Sequence, residues 1–237
     1  MLFDPIYLLF ILPGFAFALW ASFKTKSAFN KYSKVAAMNG LTGAQAAQRM
    51  LDAAGLRDVQ VVATRGMLSD HYNPANKTLA LSEGVYGSRS VAALGVACHE
   101  AGHALQHAEN YKPMYVRSLL VPTANIGSSL GYFVMLGGLA LMYVGNSGFG
   151  QNVVLFGAAL FSMVLLFQLV TLPVEFDASN RAKRLAVEYG IVYPQERKGM
   201  DKVLNAAAMT YVAAVVSTAL TLLYFLFRAG FLGGSRD

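Results

Sequence analysis

Residues 119–172 read LLVPTANIGSSLGYFVMLGGLALMYVGNSGFGQNVVLFGAALFSMVLLFQLVTL, without one Asp, Glu, Lys or Arg. A helix needs only about 20 apolar residues to cross a bilayer, so an uncharged run of this length holds two crossings. It divides at Gly145-Asn146-Ser147-Gly148-Phe149-Gly150, a short turn free of charge, into spans at 119–144 and 152–172. The pattern predicts a transmembrane helical hairpin. Gly127 and Gly131 stand at G-x-x-x-G spacing, which lets a neighbouring helix approach closely.

Outward from the hairpin, two more apolar stretches appear, at 2–23 and at 206–227. The first carries Asp4 and no Lys or Arg at its start and is followed by Lys24, Lys26, Lys31 and Lys34, the reverse of a secretory signal, so it reads as an uncleaved anchor bent near Pro13-Gly14. The whole chain is 55% hydrophobic and 14% charged, with a mean hydropathy of +0.44. A soluble domain carries about a quarter charged residues. The expected fold is therefore predominantly α, a membrane protein of about four transmembrane helices, with a small α+β domain at 24–117 and a polar segment at 173–205.

The distribution of charge predicts a topology. Residues 24–118 hold 11 of the 19 Lys and Arg, and residues 173–205 hold 6. The hairpin turn holds none, and the C-terminal tail has only Arg228 and Arg236. The positive-inside rule puts both polar segments in the cytoplasm and both termini outside. This also accounts for the net charge of +6 without nucleic acid, for which no aromatic-basic pattern exists. Cys98 is the lone cysteine, which excludes an intrachain disulfide and a cysteine-based zinc site.

Within 24–117, Thr42-Gly43-Ala44-Gln45 fits a capping box that opens a helix ending at Gly55. Asp58–Thr64 and Lys77–Ser82 read as strands, with turn chemistry at Asn73-Pro74-Ala75-Asn76. Ser88 or Ser90 caps a long helix reaching about Asn110, with Pro113 beyond.

That helix carries His99-Glu100-Ala101-Gly102-His103. Histidines at i and i+4 project from one face, one turn apart, and two imidazoles so placed can share a Zn²⁺ ion. Glu100 stands beside the first histidine, where it can take a proton from a zinc-activated water attacking a peptide carbonyl. Each residue type serves a different step. Gly95, Ala97, Ala101, Gly102 and Ala104 keep the helix slim, as packing around a buried metal needs.

A third ligand has to come from elsewhere. His107 lies too far along the axis, and the longer H-E-x-x-H-x-x-G-x-x-H pattern fails because Gln106 and Glu109 occupy its last two fixed positions. Glu175, in Pro173-Val174-Glu175-Phe176-Asp177-Ala178-Ser179, is the strongest acidic candidate, and Asp177 competes with it. Glu175 lies only about 5 Å of helix rise beyond the third span, which would put the site near the cytoplasmic membrane surface. His71, Arg181 and Tyr211 are candidate oxyanion stabilisers.

His99-Glu100-Ala101-Gly102-His103, followed after a hairpin by Glu175-Phe176-Asp177-Ala178, resembles the integral-membrane gluzincins, which include CAAX-prenyl and heat-shock membrane endopeptidases. Asp70-His71-Tyr72-Asn73-Pro74, Ala92-Ala93-Leu94-Gly95-Val96 and Asn205-Ala206-Ala207-Ala208-Met209-Thr210-Tyr211 look like the YugP-type neutral zinc metallopeptidases of bacteria, over nearly the whole chain. The resemblance implies a zincin-like domain, one Zn²⁺ held by His99, His103 and Glu175, Glu100 as general base, and a bacterial inner-membrane setting. The wider gluzincin pattern has Asp four residues after the ligand Glu, where this chain has Ser179. A carboxylate orienting a ligand histidine is then absent or supplied by Asp177.

The resulting expectation is a zinc metalloendopeptidase whose partners are membrane lipid and a peptide or membrane-protein substrate. The alternative is a non-catalytic zinc-binding membrane adaptor or scaffold. A transporter would place ionisable residues within the spans, where Gln168 is instead the most polar residue near mid-span. The sequence sets no oligomeric state.

Overall fold

The computed structural model describes residues 5–232 and is mostly helical. The expected span therefore begins outside the described residues at 2–4, as does Arg236. Helix α1 covers Pro5–Tyr32 and α2 Gly43–Ala53; strands β1 (Gln60–Thr64), β2 (His71–Asn73) and β3 (Thr78–Ser82) follow. A short α3 (Glu83–Tyr86) leads to α4 (Val91–Ala108) and α5 (Lys112–Ile126). A π turn at Gly127–Gly131 joins α5 to α6 (Tyr132–Tyr143), and α7 (Ser147–Glu188) and α8 (Pro194–Arg228) complete the chain. Among the described residues, four helical stretches are long and apolar enough to cross a membrane: Pro5–Tyr32, Lys112–Tyr143, Ser147–Glu188 and Pro194–Arg228.

Contacts divide the chain into two units. Of the described residues, one holds 5–20, 115–172 and 211–232; the other holds 21–114 and 173–210. In the first, glycines carry the packing. A Cβ on Gly138 would meet the Val154 nitrogen at 2.6 Å, one on Gly157 the Met135 nitrogen at 2.6 Å, and one on Gly127 would run into the Leu160 carbonyl oxygen. The G-x-x-x-G pair thus belongs to a longer seam, along which α6 and the preceding π turn lie backbone to backbone with α7. Tyr224 and Phe225 of α8 are fully buried in the same unit, where Tyr224 meets the Tyr7 ring edge-on at 5.0 Å.

In the second unit, Thr42 opens α2 through both halves of the capping box: its hydroxyl accepts from the Gln45 N–H and the Gln45 side chain accepts from the Thr42 N–H. Gly55, at φ +77°, closes that end in a conformation costly to other residues. The sheet has three strands in the order β1-β3-β2, with β1 parallel and β2 antiparallel to β3. The central strand β3 buries Leu79, Ala80, Leu81 and Ser82, as a strand covered on both faces must. Asp70 fixes the start of β2 by accepting from the backbone and hydroxyl of Ser82.

One expectation is corrected here. Three strands form rather than two, because β2 is defined by its ladder to β3 and has no apolar alternation of its own. The motif helix stops at Ala108, ahead of Pro113 as expected, and Pro113 is the second residue of the next helix, α5, where a missing N–H costs nothing. Residues 173–205 are two helix ends joined by a short link, since charged side chains continue α7 and α8 well past their apolar parts.

The glycine seam is open to a matched test. Gly138→Ala puts a methyl against backbone and is expected to cost about 1–3 kcal/mol in detergent unfolding. Gly137→Ala meets nothing within 4 Å and should leave stability unchanged or slightly raised. Equal effects at the two positions would refute the seam.

Candidate metal centre

Ser90 caps α4 by accepting from the Ala93 N–H at 3.2 Å, and this sets the phase of the helix. The buried face of α4 then carries Leu94, Ala97, Cys98, Ala101 and Leu105 into the core, with Glu100, His103 and Gln106 also buried. Opposite lies the stretch of α7 after Pro173. A Cβ on Gly102 would stand 2.7 Å from the Ala178 carbonyl oxygen, so the two helices touch through backbone. Only glycine fits at 102.

This contact brings three side chains together. The Glu175 Oε2 lies 3.2 Å from His99 Nε2 and 3.6 Å from His103 Nε2, and one donor atom from each residue falls within 4.8 Å of the others. In each ring the other nitrogen is engaged. His99 Nδ1 lies 3.1 Å from the Ser179 hydroxyl and His103 Nδ1 2.9 Å from the Gln106 Oε1. Ser179 therefore stands where the wider pattern has Asp, and it holds the ring through a hydroxyl. Asp177 faces away from the cluster: its Oδ2 accepts from Gln106 Nε2 at 2.8 Å and from Arg181 Nε at 2.6 Å.

Whether these residues suit a metal is a question of spacing and lone pairs. Zn–N and Zn–O bonds of about 2.0–2.1 Å at tetrahedral angles put ligand atoms about 3.3 Å apart. The 3.2 and 3.6 Å separations match that spacing. Glu175 is 2% exposed, and a buried carboxylate needs a positive partner. The donor set fits a zinc ion. Without one, a proton on a histidine answers the same need: burial works to lower the His103 pKa, but the Glu175 hydrogen bond and the negative charge of Glu100 raise it overall.

Glu100 is 8% exposed, and no hydrogen-bond donor among the described residues engages its carboxylate. Arg181 is held between Asp177 and Glu109, the latter at 2.7 Å. His71 is exposed and donates from Nδ1 to the Ser69 carbonyl at 2.8 Å. Tyr211 belongs to α8 in the other unit. Neither His71 nor Arg181 joins the cluster of His99, His103 and Glu175. His107 meets the Tyr72 hydroxyl at 2.8 Å, tying the last turn of α4 to β2. Cys98 is buried, which pushes its thiol up to about 12 and leaves it a packing residue.

The family model described as "Putative neutral zinc metallopeptidase" matches residues 7–230. The chain belongs to that family. A "Putative membrane protease YugP" of Bacillus subtilis (strain 168) is 45% identical over 221 residues, covering 93% of this chain and 95% of the relative. No solved structure matches. Membership of the neutral zinc metallopeptidases names zinc as the metal for which the cluster is to be tested.

Sequence reasoning missed Gln106. It was read only as a departure from the longer histidine pattern, yet it lies three residues after His103 and so on the same face. The Gly102 contact yields the prediction for this site. Gly102→Ala should push α4 off α7 and weaken zinc binding roughly tenfold or more, since each 1.4 kcal/mol of strain is about a factor of ten. Competition with a chelator measures it, and unchanged affinity would show that the backbone contact does not hold the cluster.

Proposed function

We propose that this protein is a membrane-bound zinc endopeptidase that hydrolyses peptide bonds in membrane or juxtamembrane proteins. The observation that carries the reading is the convergence of His99, His103 and Glu175 with Glu100 on the adjacent position of α4. His99, His103 and Glu175 would hold the metal. When bound, zinc supplies a Lewis acid that polarises the scissile carbonyl and acidifies the attacking water.

The remaining work falls to the chain. Glu100 takes the proton of the water on its carboxylate oxygen and returns it to the leaving amine nitrogen. Ser179 and Gln106 hold the two imidazoles in register with Glu175. The cluster among the described residues has three members, and a purely structural zinc site would have four protein ligands. This favours the enzyme over the adaptor.

For orientation, the charge asymmetry supports a multi-pass protein of the cell membrane with both termini and the 145–150 turn outside and residues 24–117 and 173–205 in the cytoplasm. In a Cys98→Ala background, Asn146→Cys should react with a membrane-impermeant maleimide on intact cells and Asn76→Cys should not. The opposite pattern would invert the topology.

The activity is tested with purified full-length protein. Glu100→Gln should retain one zinc per chain and lose peptide hydrolysis by about 10²–10⁴-fold, the contribution of a general acid–base group. Glu175→Ala should lose zinc, whereas Asp177→Ala should keep it at reduced affinity. Hydrolysis that persists in Glu100→Gln, or zinc that persists in Glu175→Ala, would overturn the assignment.

A further inference from the structure

We propose that Gln106 is a positioning residue that fixes the His103 ring with Nδ1 protonated, so that Nε2 is the atom offered to a metal shared with His99 and Glu175, and that Asp177 and Arg181 set the direction of the Gln106 amide. The inference rests on the zinc reading above and adds to it the residue that orients one ligand.

Gln106 is fully buried on α4. The two ends of a side-chain amide are alike in shape, so its direction has to be read from its neighbours. Here the neighbours decide it. Two atoms lie 2.8 Å from Nε2, the Val174 carbonyl oxygen and the Asp177 Oδ2, and neither has a proton to give. A flipped amide would bring Oε1 against both, leaving three oxygens with no proton between them in a buried site. The amide nitrogen therefore faces α7 and Oε1 faces His103. An oxygen at 2.9 Å from His103 Nδ1 accepts only if that nitrogen carries the proton, which in the neutral, metal-binding ring leaves Nε2 as the lone-pair atom.

The chain of causes extends one link further. Asp177 is a dependable acceptor because Arg181 donates to the same Oδ2 from Nε at 2.6 Å. Arg181 is held in turn by Glu109, at the C-terminal end of α4, at 2.7 Å. The network runs His103, Gln106, Asp177, Arg181, Glu109, leaving α4 for α7 and coming back to it. It also explains why the residue is Gln: a Glu at 106 would set a second carboxylate 2.8 Å from Asp177.

The test uses full-length protein in nanodiscs with zinc alone as the probe. Affinity comes from chelator competition, and the state of the ring from ¹⁵N-histidine spectra of the zinc-loaded protein. Gln106→Leu should weaken zinc binding by about 10–100-fold, the usual effect of removing a partner of a ligand histidine. The His103 signals should also depart from the Nδ1–H, Nε2-bound pattern. Gln106→Glu should weaken binding at least as much. Gln106→Glu combined with Asp177→Asn should recover part of it, because the new carboxylate accepts from His103 and from the amide introduced at position 177, while the Val174 carbonyl still loses its donor. Wild-type affinity and unchanged His103 signals in Gln106→Leu would overturn the proposal. So would a double variant no better than Gln106→Glu, and this comparison decides the matter if Gln106→Leu fails to fold. If the wild type itself binds no zinc, the metallopeptidase reading falls as well; if it binds zinc and the Gln106 variants do not differ from it, only the positioning role falls.

Discussion

The close approach of α4 to α7 at Gly102 is the constraint on which the candidate centre depends. With a carbonyl oxygen 2.7 Å from where a Cβ would be, neither helix has room for a side chain between them. The distance between axes is then set by backbone, and the side chains on either side of the contact inherit fixed positions. His99 and His103 flank Gly102 on one helix, and Glu175 and Ser179 flank Ala178 on the other. Interhelical contacts built of long side chains can relax by rotamer changes, whereas backbone in van der Waals contact cannot. A site that needs ligand atoms about 3.3 Å apart is better served by the second kind of contact.

Around that contact, burial and polarity are balanced locally. Glu175 is buried against two imidazoles, each imidazole is braced on its far nitrogen, and the brace on His103 ends in an arginine paired with two carboxylates. Every buried polar group named in this network has a partner, as a low-dielectric interior demands. Glu100 differs. Its carboxylate adjoins the cluster without a donor among the described residues, which is the condition a proton acceptor requires.

Much of this was legible in the sequence, and the reasons differ by residue. The four membrane-length helices follow from hydropathy alone, and the α2 cap from Thr42 and Gln45, because these signals are local. The histidine pair was legible because i, i+4 spacing has one meaning on a helix. Glu175 and Asp177 were left as rivals, although residues two apart on a helix point in different directions and only one can face a given point. Ser179, four residues beyond Glu175, shares its face and was read as a missing carboxylate rather than as a hydroxyl partner. Gln106 was hidden because its role depends on Val174 and Asp177, about seventy residues away. Strand β2 was hidden for a similar reason, since three residues acquire strand geometry only from the ladder they join. Apolar content marks where a membrane span stops, whereas backbone hydrogen bonding carries α7 on to Glu188 and starts α8 at Pro194.

The π turn at Gly127–Gly131 has a consequence of its own. Such a turn takes in more residues than an α turn, so the chain after it keeps a phase that a plain α-helix of the same length would lose. Gly131, Met135 and Gly138 meet α7 in that phase. Straightening the turn into α geometry at the present residue count would rotate everything beyond it by about 100°, carrying the seam glycines away from their partners. Deleting one residue together with the wide turn would instead keep the phase, because the turn takes up that one extra residue. The alignment of α6 with α7 thus rests on residue count and turn shape acting together.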